Sequence, residues 1–191
     1  MQSELELSLD RNTHQLVERC IKGDTAGYRL LYEQYARAMY NTALRIVNNT
    51  TDAEDILQEA FTDAFQTLSR FRNQSSFGAW LKKIVVHKSI NAVKRGRKKW
   101  MEVDLASIEG YVLRDEPEPD ESDILYRVDQ VRQAISQLPD GYRTVISLHL
   151  LEDYSQEEIA SVLGISPVTV RTQYLRAKKK LLEFMRKSSS L

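Results

Sequence analysis

The residues of this chain best spaced to do chemistry lie in Tyr154–Leu181, YSQEEIASVLGISPVTVRTQYLRAKKKL. Val170, Tyr174, Ala177 and Leu181 recur at helical spacing and give one apolar side. Arg171, Thr172, Leu175, Arg176, Lys178 and Lys179 project elsewhere. Such a set offers cations for phosphates and hydrogen-bonding groups for base edges, the chemistry of a helix received by the major groove of duplex DNA. The preceding residues are what such a helix needs for its placement. Ser155 with Glu158 three residues on is a capping box that starts a helix at Gln156. Ile159, Ala160 and Leu163 supply that helix's apolar face, and Gly164 stops it, because glycine enters the left-handed conformation cheaply. Ser166 then caps a second helix with Pro167 at its first position. Lys178–Lys180 alone would be ordinary solvated charge; a glycine turn followed by a recapped basic helix specifies a helix-turn-helix.

A second candidate is Phe77–Lys99, FGAWLKKIVVHKSINAVKRGRKK. Trp80, Leu81, Ile84, Val85, Ile90 and Val93 can pack inward, leaving Lys82, Lys83, His87, Lys88, Asn91, Lys94 and Arg95 on a basic side. Lysines there would neutralise phosphates, and His87 and Asn91 could bond base edges. The preceding loop, Asn73, Gln74, Ser75, Ser76 and Phe77, joins polar tips to an aromatic ring, a combination suited to an unstacked base. The competing reading is a solvated amphipathic helix with Trp80 as core.

The third constellation is acidic. Asp52, Asp55, Glu59 and Asp63 recur three and four residues apart. Asp52 and Asp55 suit the first turn of a helix, where negative charge complements the dipole. A carboxylate metal site would need a histidine partner that the sequence does not offer. A protein-docking ridge that includes Gln58 fits better. No glycine-rich phosphate loop, Cys/His cluster or nucleophile elbow occurs, and His14, His87 and His149 are far apart. His149, in an apolar helix, reads as structural. The expectation is a protein with no catalytic residue, metal or cofactor.

The elements carrying these residues read as all-α: two helical domains joined by a flexible acidic linker, the C-terminal one a helix-turn-helix. Residues 1–99 hold four helices. Thr13 is expected to cap the first, Gly23-Asp24 to separate it from the second, and Thr51 or Asp52 to cap the third. The fourth starts near Phe77. Residues 100–122 lack a helical period and contain Asp115-Glu116-Pro117-Glu118-Pro119-Asp120, which favours an extended tether. Ser122 is expected to cap a helix opening the domain 123–191, with a further helix over Tyr142–Leu151 whose Val145, Ile146, Leu148 and Leu150 feed the core.

The net charge of zero conceals segregation. Leu81–Lys99 has eight Lys/Arg and no acid, and Glu102–Asp123 has nine Asp/Glu against Arg114 alone. From Gly164 onward only Glu183 opposes the basic residues. Two basic surfaces separated by an acidic strip point to two contacts with a polyanion. The single cysteine, Cys20, forms no internal disulfide and reads as a buried thiol in a reducing compartment. The acidic start MQSELELSLD is no secretion signal, and no apolar run approaches the roughly 20 residues of a membrane span. A cytoplasmic protein without membrane insertion is expected.

Taken in order, these blocks resemble a bacterial RNA polymerase sigma factor of the extracytoplasmic-function type. DAEDILQEAFTDAF resembles the family's helix that docks on the polymerase clamp, and FRNQSSFGAWLKKIVVHKSINAVKR its promoter-melting loop and −10-reading helix. LPDGYRTVISLHLLEDYSQEEIASVLGISPVTVRTQYLRAKKKL resembles its −35-reading domain. The resemblance implies that Asp52, Asp55, Gln58 and Glu59 engage core RNA polymerase. It implies that Asn73, Gln74, Ser75 and Phe77 capture a flipped base, with Lys83, His87, Lys88, Asn91, Lys94 and Arg95 along the displaced strand. It places Ser166, Arg171, Thr172, Gln173, Leu175, Arg176 and Lys179 against the −35 duplex of promoter DNA. His87 and Asn91 stand where the family commonly has Asn and Asp, and Gln173 where it often has Arg. An anti-sigma factor is the further partner it implies. Two other readings use the same residues: a free-standing helix-turn-helix regulator with a sensing or dimerising N-terminal domain, and a nucleic-acid enzyme using the carboxylates of Asp52–Asp63.

Overall fold

The computed structural model describes residues 2–72, 75–96 and 130–188, and these are helices and turns without a strand. The chain divides into two compact units, Met1–Val93 and Lys94–Leu191. The expected tether over 100–122, the cap at Ser122, and residues Asn73, Gln74 and Arg97–Lys99 lie outside the described residues.

The first unit holds α1 (Gln2–Ile21), α2 (Thr25–Val47), α3 (Thr50–Gln66) and all but the end of α4 (Phe77–Gly96), with a 3-10 turn at Leu68–Arg70 before α4. The helix starts depart from the sequence reading in instructive ways. Thr13 does not cap α1 but sits buried within it, its hydroxyl accepting a hydrogen bond from Gln34 Nε2 (3.0 Å) and lying 3.3 Å from the Tyr35 hydroxyl. Here a tertiary partner on α2 outcompetes the local capping role. Asp24 caps α2, accepting from Ala26 N at 3.0 Å while paired with Arg19. Asn49, rather than Thr51 or Asp52, caps α3 by accepting from Asp52 N at 3.1 Å; Asn48 before it takes the left-handed conformation that ends α2. Asparagine tolerates both positions, so the whole turn shifts earlier. Ser76 caps α4 through Ala79 N (3.2 Å).

The core of this unit is built where small residues let helices approach. Leu31 and Ala43 of α2 meet Ala53, Ala60 and Phe61 of α3, and α4 adds Leu81 and Val85. Where α1 crosses α2, a Cβ on Gly27 would stand 2.7 Å from Cys20 Sγ, so a larger residue there would have to push the buried thiol aside. Cys20 is indeed buried, and burial raises its thiol pKa.

In the second unit residues 130–136 form α5, followed by α6 (Asp140–Leu150), α7 (Gln156–Leu163) and α8 (Pro167–Ser188). Ile135 and Leu138 join Ile146, Ala177 and Leu181 in one core, with Tyr174 and Phe184 against it. α6 starts two residues earlier than expected, at Asp140, whose carboxylate accepts from Arg143 Nη2 at 2.6 Å. Leu150, expected in the core, is exposed. The helix turns Val145, Ile146 and Leu148 inward, and the half-buried Leu151 takes its place. His149 is structural: its Nδ1 lies 2.9 Å from Tyr154 O and its ring packs edge-on against Tyr174.

Candidate nucleic-acid interface

The helix-turn-helix of the second unit forms as its residues dictate. Both halves of the capping box are present: Glu158 N donates to Ser155 Oγ (3.2 Å) and Ser155 N to Glu158 Oε2 (2.9 Å). Gly164 ends α7 with φ 70°, in the left-handed region. Ser166 Oγ accepts from Thr169 N at 3.1 Å and lies 2.8 Å from Thr169 Oγ1, so this hydroxyl is committed to starting α8.

α8 has two distinct sides. Val170, Ala177 and Leu181 are buried, while Val168, Arg171, Leu175 and Lys179 are exposed, with Thr172, Arg176 and Lys178 half-buried beside them. Among the described residues, Arg171, Arg176 and Lys179 meet no carboxylate. Gln173 corrects the sequence reading. The resemblance puts it against the −35 duplex, yet it is 3 % exposed. Three residues after Val170 and four before Ala177, it falls on the inward side. Its amide faces Gly141 on α6, and its Oε1 has no hydrogen-bond partner among the described residues. Val168, by contrast, is absent from the sequence-derived set and is 73 % exposed in the first turn of α8. Counting four residues back from Thr172 would have found it.

On α4 the exposed residues Lys83, His87, Asn91 and Arg95 stand four apart, so they make one stripe, with Lys94 exposed beside it. Lys88 is a second correction. Its ammonium turns to α3 and pairs with Asp63 (2.7 Å) and Glu59 (3.2 Å). Hydrogen bonding to Asp63, reinforced by Glu59, raises its pKa. Thus Lys88 and Glu59, assigned by sequence to two different partners, hold each other. On α3 itself Asp52, Asp55, Gln58 and Glu59 are exposed, whereas Ile56, Leu57 and Phe61 are buried. Among the described residues no group of three or more His, Cys, Asp or Glu is arranged to hold a metal ion.

Phe77 is a third correction. Its ring is 2 % exposed and packs among Tyr35, Phe71 and Trp80, with centroids 5.3, 6.0 and 5.8 Å away. It is not a free stacking platform; the aromatic cluster that pins α4 against α2 has taken it. Beside it opens a cleft of about 240 Å³ lined by Thr13, His14, Val17, Phe71, Ser75, Ser76 and Phe77. Ser75 and Ser76 from the expected loop are exposed at its edge. No helix among the described residues is long and apolar enough to cross a membrane.

These two units are matched separately by known families. The model for Sigma-70 region 2 matches residues 31–99, and that for Sigma-70, region 4 matches residues 129–181. The RNA polymerase sigma-H factor of Pseudomonas aeruginosa is 34 % identical over 172 residues, covering 86 % of this chain and 89 % of that protein. The ECF RNA polymerase sigma-E factor of Escherichia coli is 33 % identical over 171 residues, covering 86 % and 89 %. The ECF factor SigW of Bacillus subtilis is 28 % identical over 177 residues, covering 89 % and 95 %. Among solved structures, the sigma factor RpoE in complex with the anti-sigma factor NepR from Bartonella quintana shares the fold. Its TM-score is 0.52 at 19 % identity, over 83 % of this chain and 96 % of that one. CnrH in complex with the cytosolic domain of CnrY gives 0.51 at 24 % identity, over 90 % and 96 %. With both regions present in order and such relatives covering most of its length, the chain belongs to the sigma-70 family of RNA polymerase sigma factors, extracytoplasmic-function type.

Proposed function

We propose that this sigma factor binds core RNA polymerase in the cytoplasm and directs it to promoters through two DNA-reading surfaces, one in each unit. The observation that carries this reading is the division of α8: Val170, Ala177 and Leu181 are packed inward, and Arg171, Leu175 and Lys179 are left outside without carboxylate partners among the described residues. That surface suits the major groove of the −35 element, with Arg171, Arg176 and Lys179 toward phosphates or bases and Thr172 and Leu175 toward base edges. Ser166 contributes by fixing the start of α8. Gln173, being buried, supports α8 from within.

On α4 Lys83, His87, Asn91, Lys94 and Arg95 would track the displaced −10 strand. The cleft beside Ser75 and Ser76, together with Asn73 and Gln74 of the same loop, would receive a flipped base. Phe77 forms part of its wall, and capture of the base would offset a few kcal/mol of unstacking. The exposed acids of α3, Asp52, Asp55 and Glu59, with Gln58, would dock on the polymerase. They also repel DNA from that side, which separates protein and nucleic-acid faces. The chain would carry no chemistry of its own; the polymerase supplies it. The Bartonella quintana sigma factor is in complex with an anti-sigma factor, and an anti-sigma protein is the further partner of this chain.

Tethering the two reading units to one polymerase lets two modest contacts act together through effective concentration. Fluorescence anisotropy on a promoter duplex, with and without core polymerase, separates this reading from a free-standing regulator. Weak, salt-sensitive binding by the isolated chain that becomes tight and sequence-specific on adding core is expected. Tight specific binding without core would replace this reading with the regulator.

A further inference from the structure

The exposed side of α8 is not uniformly polar. Val168 is 73 % exposed and Leu175 45 %, the two large apolar residues that α8 leaves in solvent among the described residues. They stand seven residues apart with Thr172 between them, positions i, i+4 and i+7 of one helical face. Thr172 Oγ1 donates to Val168 O at 2.9 Å. Its proton is therefore committed to the helix, and Thr172 has its methyl group and an acceptor oxygen left to offer a ligand. The result is a line of branched apolar groups with Arg171 and Lys179 exposed at its flanks.

A β-branched residue in a helix gains nothing from propensity, and an exposed valine gains nothing from burial. The flanking cations indicate an anionic occupant. A polyanion that also presents methyl groups is duplex DNA, whose major groove carries the thymine C5-methyl at each A·T pair. From Val168 to Leu175 the helix rises about 10 Å, close to three base-pair steps.

We propose that Val168, Thr172 and Leu175 form a methyl-reading strip, with Val168 in the first turn as a specificity-determining residue for thymine in the −35 element. The proposal rests on α8 being the −35 reader and adds the base it selects. No bond is made or broken; the selection comes from apolar contact with one methyl group.

Replacing thymine by 2′-deoxyuridine removes only that methyl. The test uses a promoter duplex recovered by transcription with the holoenzyme. Deoxyuridine is substituted at one −35 thymine at a time, and binding is measured for the wild-type chain, Val168→Ala and Val168→Ile. At one or two positions the wild-type holoenzyme is expected to lose about fourfold in affinity, the worth of one methyl-sized group. Val168→Ala is expected to become insensitive at one of them, and Val168→Ile to restore the sensitivity. At such exposure neither variant should change the melting temperature. Indifference of the wild type to every substitution, or equal losses in Val168→Ala, would overturn the strip. So would Val168→Ala keeping full thymine discrimination while losing affinity for a protein partner. A scrambled −35 element separates the two levels. If scrambling also has no effect, the −35 role of α8 fails; if it weakens binding while deoxyuridine does not, only the methyl reading fails.

Discussion

The two basic helices have similar composition and different neighbours. On α4 the cation Lys88 is held by Asp63 and Glu59, two acids of the helix packed alongside. On α8 Arg171 and Lys179 face solvent with no acid beside them among the described residues. A bare cationic face attracts a polyanion on its own, whereas a partly neutralised one does so less. α4 carries Lys82, Lys83, Lys88, Lys94 and Arg95 and no acid of its own, so from sequence every one of its cations looks bare. The fold neutralises one of them, Lys88, by laying the acidic ridge of α3 against it. The charge along a helix therefore does not give the charge of its face.

The strongest way to break this contrast is to reverse the bare face. Arg171→Glu combined with Lys179→Glu should lower transcription from a −35-dependent promoter by more than about a hundredfold. If both residues meet phosphates, the slope of log affinity against log salt should fall by about 2. An unchanged slope would show that neither residue meets phosphate. Arg176→Ala is milder and more informative. A loss of about 1–3 kcal/mol confined to promoters with one base at one position would make it a base reader, and an equal loss on all sequences a phosphate contact.

Ser166→Ala distinguishes a capping role from a DNA contact. A loss of about 1 kcal/mol in stability is expected, lowering the melting temperature of the second unit by several degrees. The promoter affinity of the folded protein should be unchanged; a direct loss of affinity would restore Ser166 to the DNA face. The smallest effect belongs to the tied cation. Asp63→Asn should change stability by no more than about 0.2–1 kcal/mol. It should raise holoenzyme affinity for a single-stranded −10 oligonucleotide two- to threefold at low salt, a gain that screening removes by about 0.5 M. The pKa of Lys88 is raised in the folded protein, so the pair's contribution is present below the ordinary lysine value of 10.5 and is lost only as pH climbs through the folded value. Between about pH 7 and 9 the difference in melting temperature between wild type and Lys88→Met should therefore be flat.

Most of the fold could be read from local chemistry. The capping box at Ser155, the turn at Gly164 and the cap at Ser166 are each decided within three or four residues, and each forms as written. What failed was decided across helices. Thr13 has a good capping side chain, but Gln34 and Tyr35 on α2 claimed it. Phe77 has the ring to stack a base, but Tyr35, Phe71 and Trp80 surround it. Gln173 has the amide of a base reader, but its place between Val170 and Ala177 turns it inward. Lys88 needed the position of α3 before its partners could be known. In the site itself the exposed stripe of α4 followed helical spacing and was legible. Val168 was not legible because it is neither a cation nor a hydrogen-bonding group and lies off the apolar side of Val170, Tyr174, Ala177 and Leu181.

The central claim is that this chain directs polymerase to particular promoters, and the most direct measurement is transcription in vitro with purified core polymerase on genomic fragments, with start sites mapped. Discrete starts that appear only when the chain is added, and that weaken when either the upstream or the downstream element is scrambled, are the expected result. Initiation that is unchanged by the chain, or that occurs only at fragment ends, would contradict it.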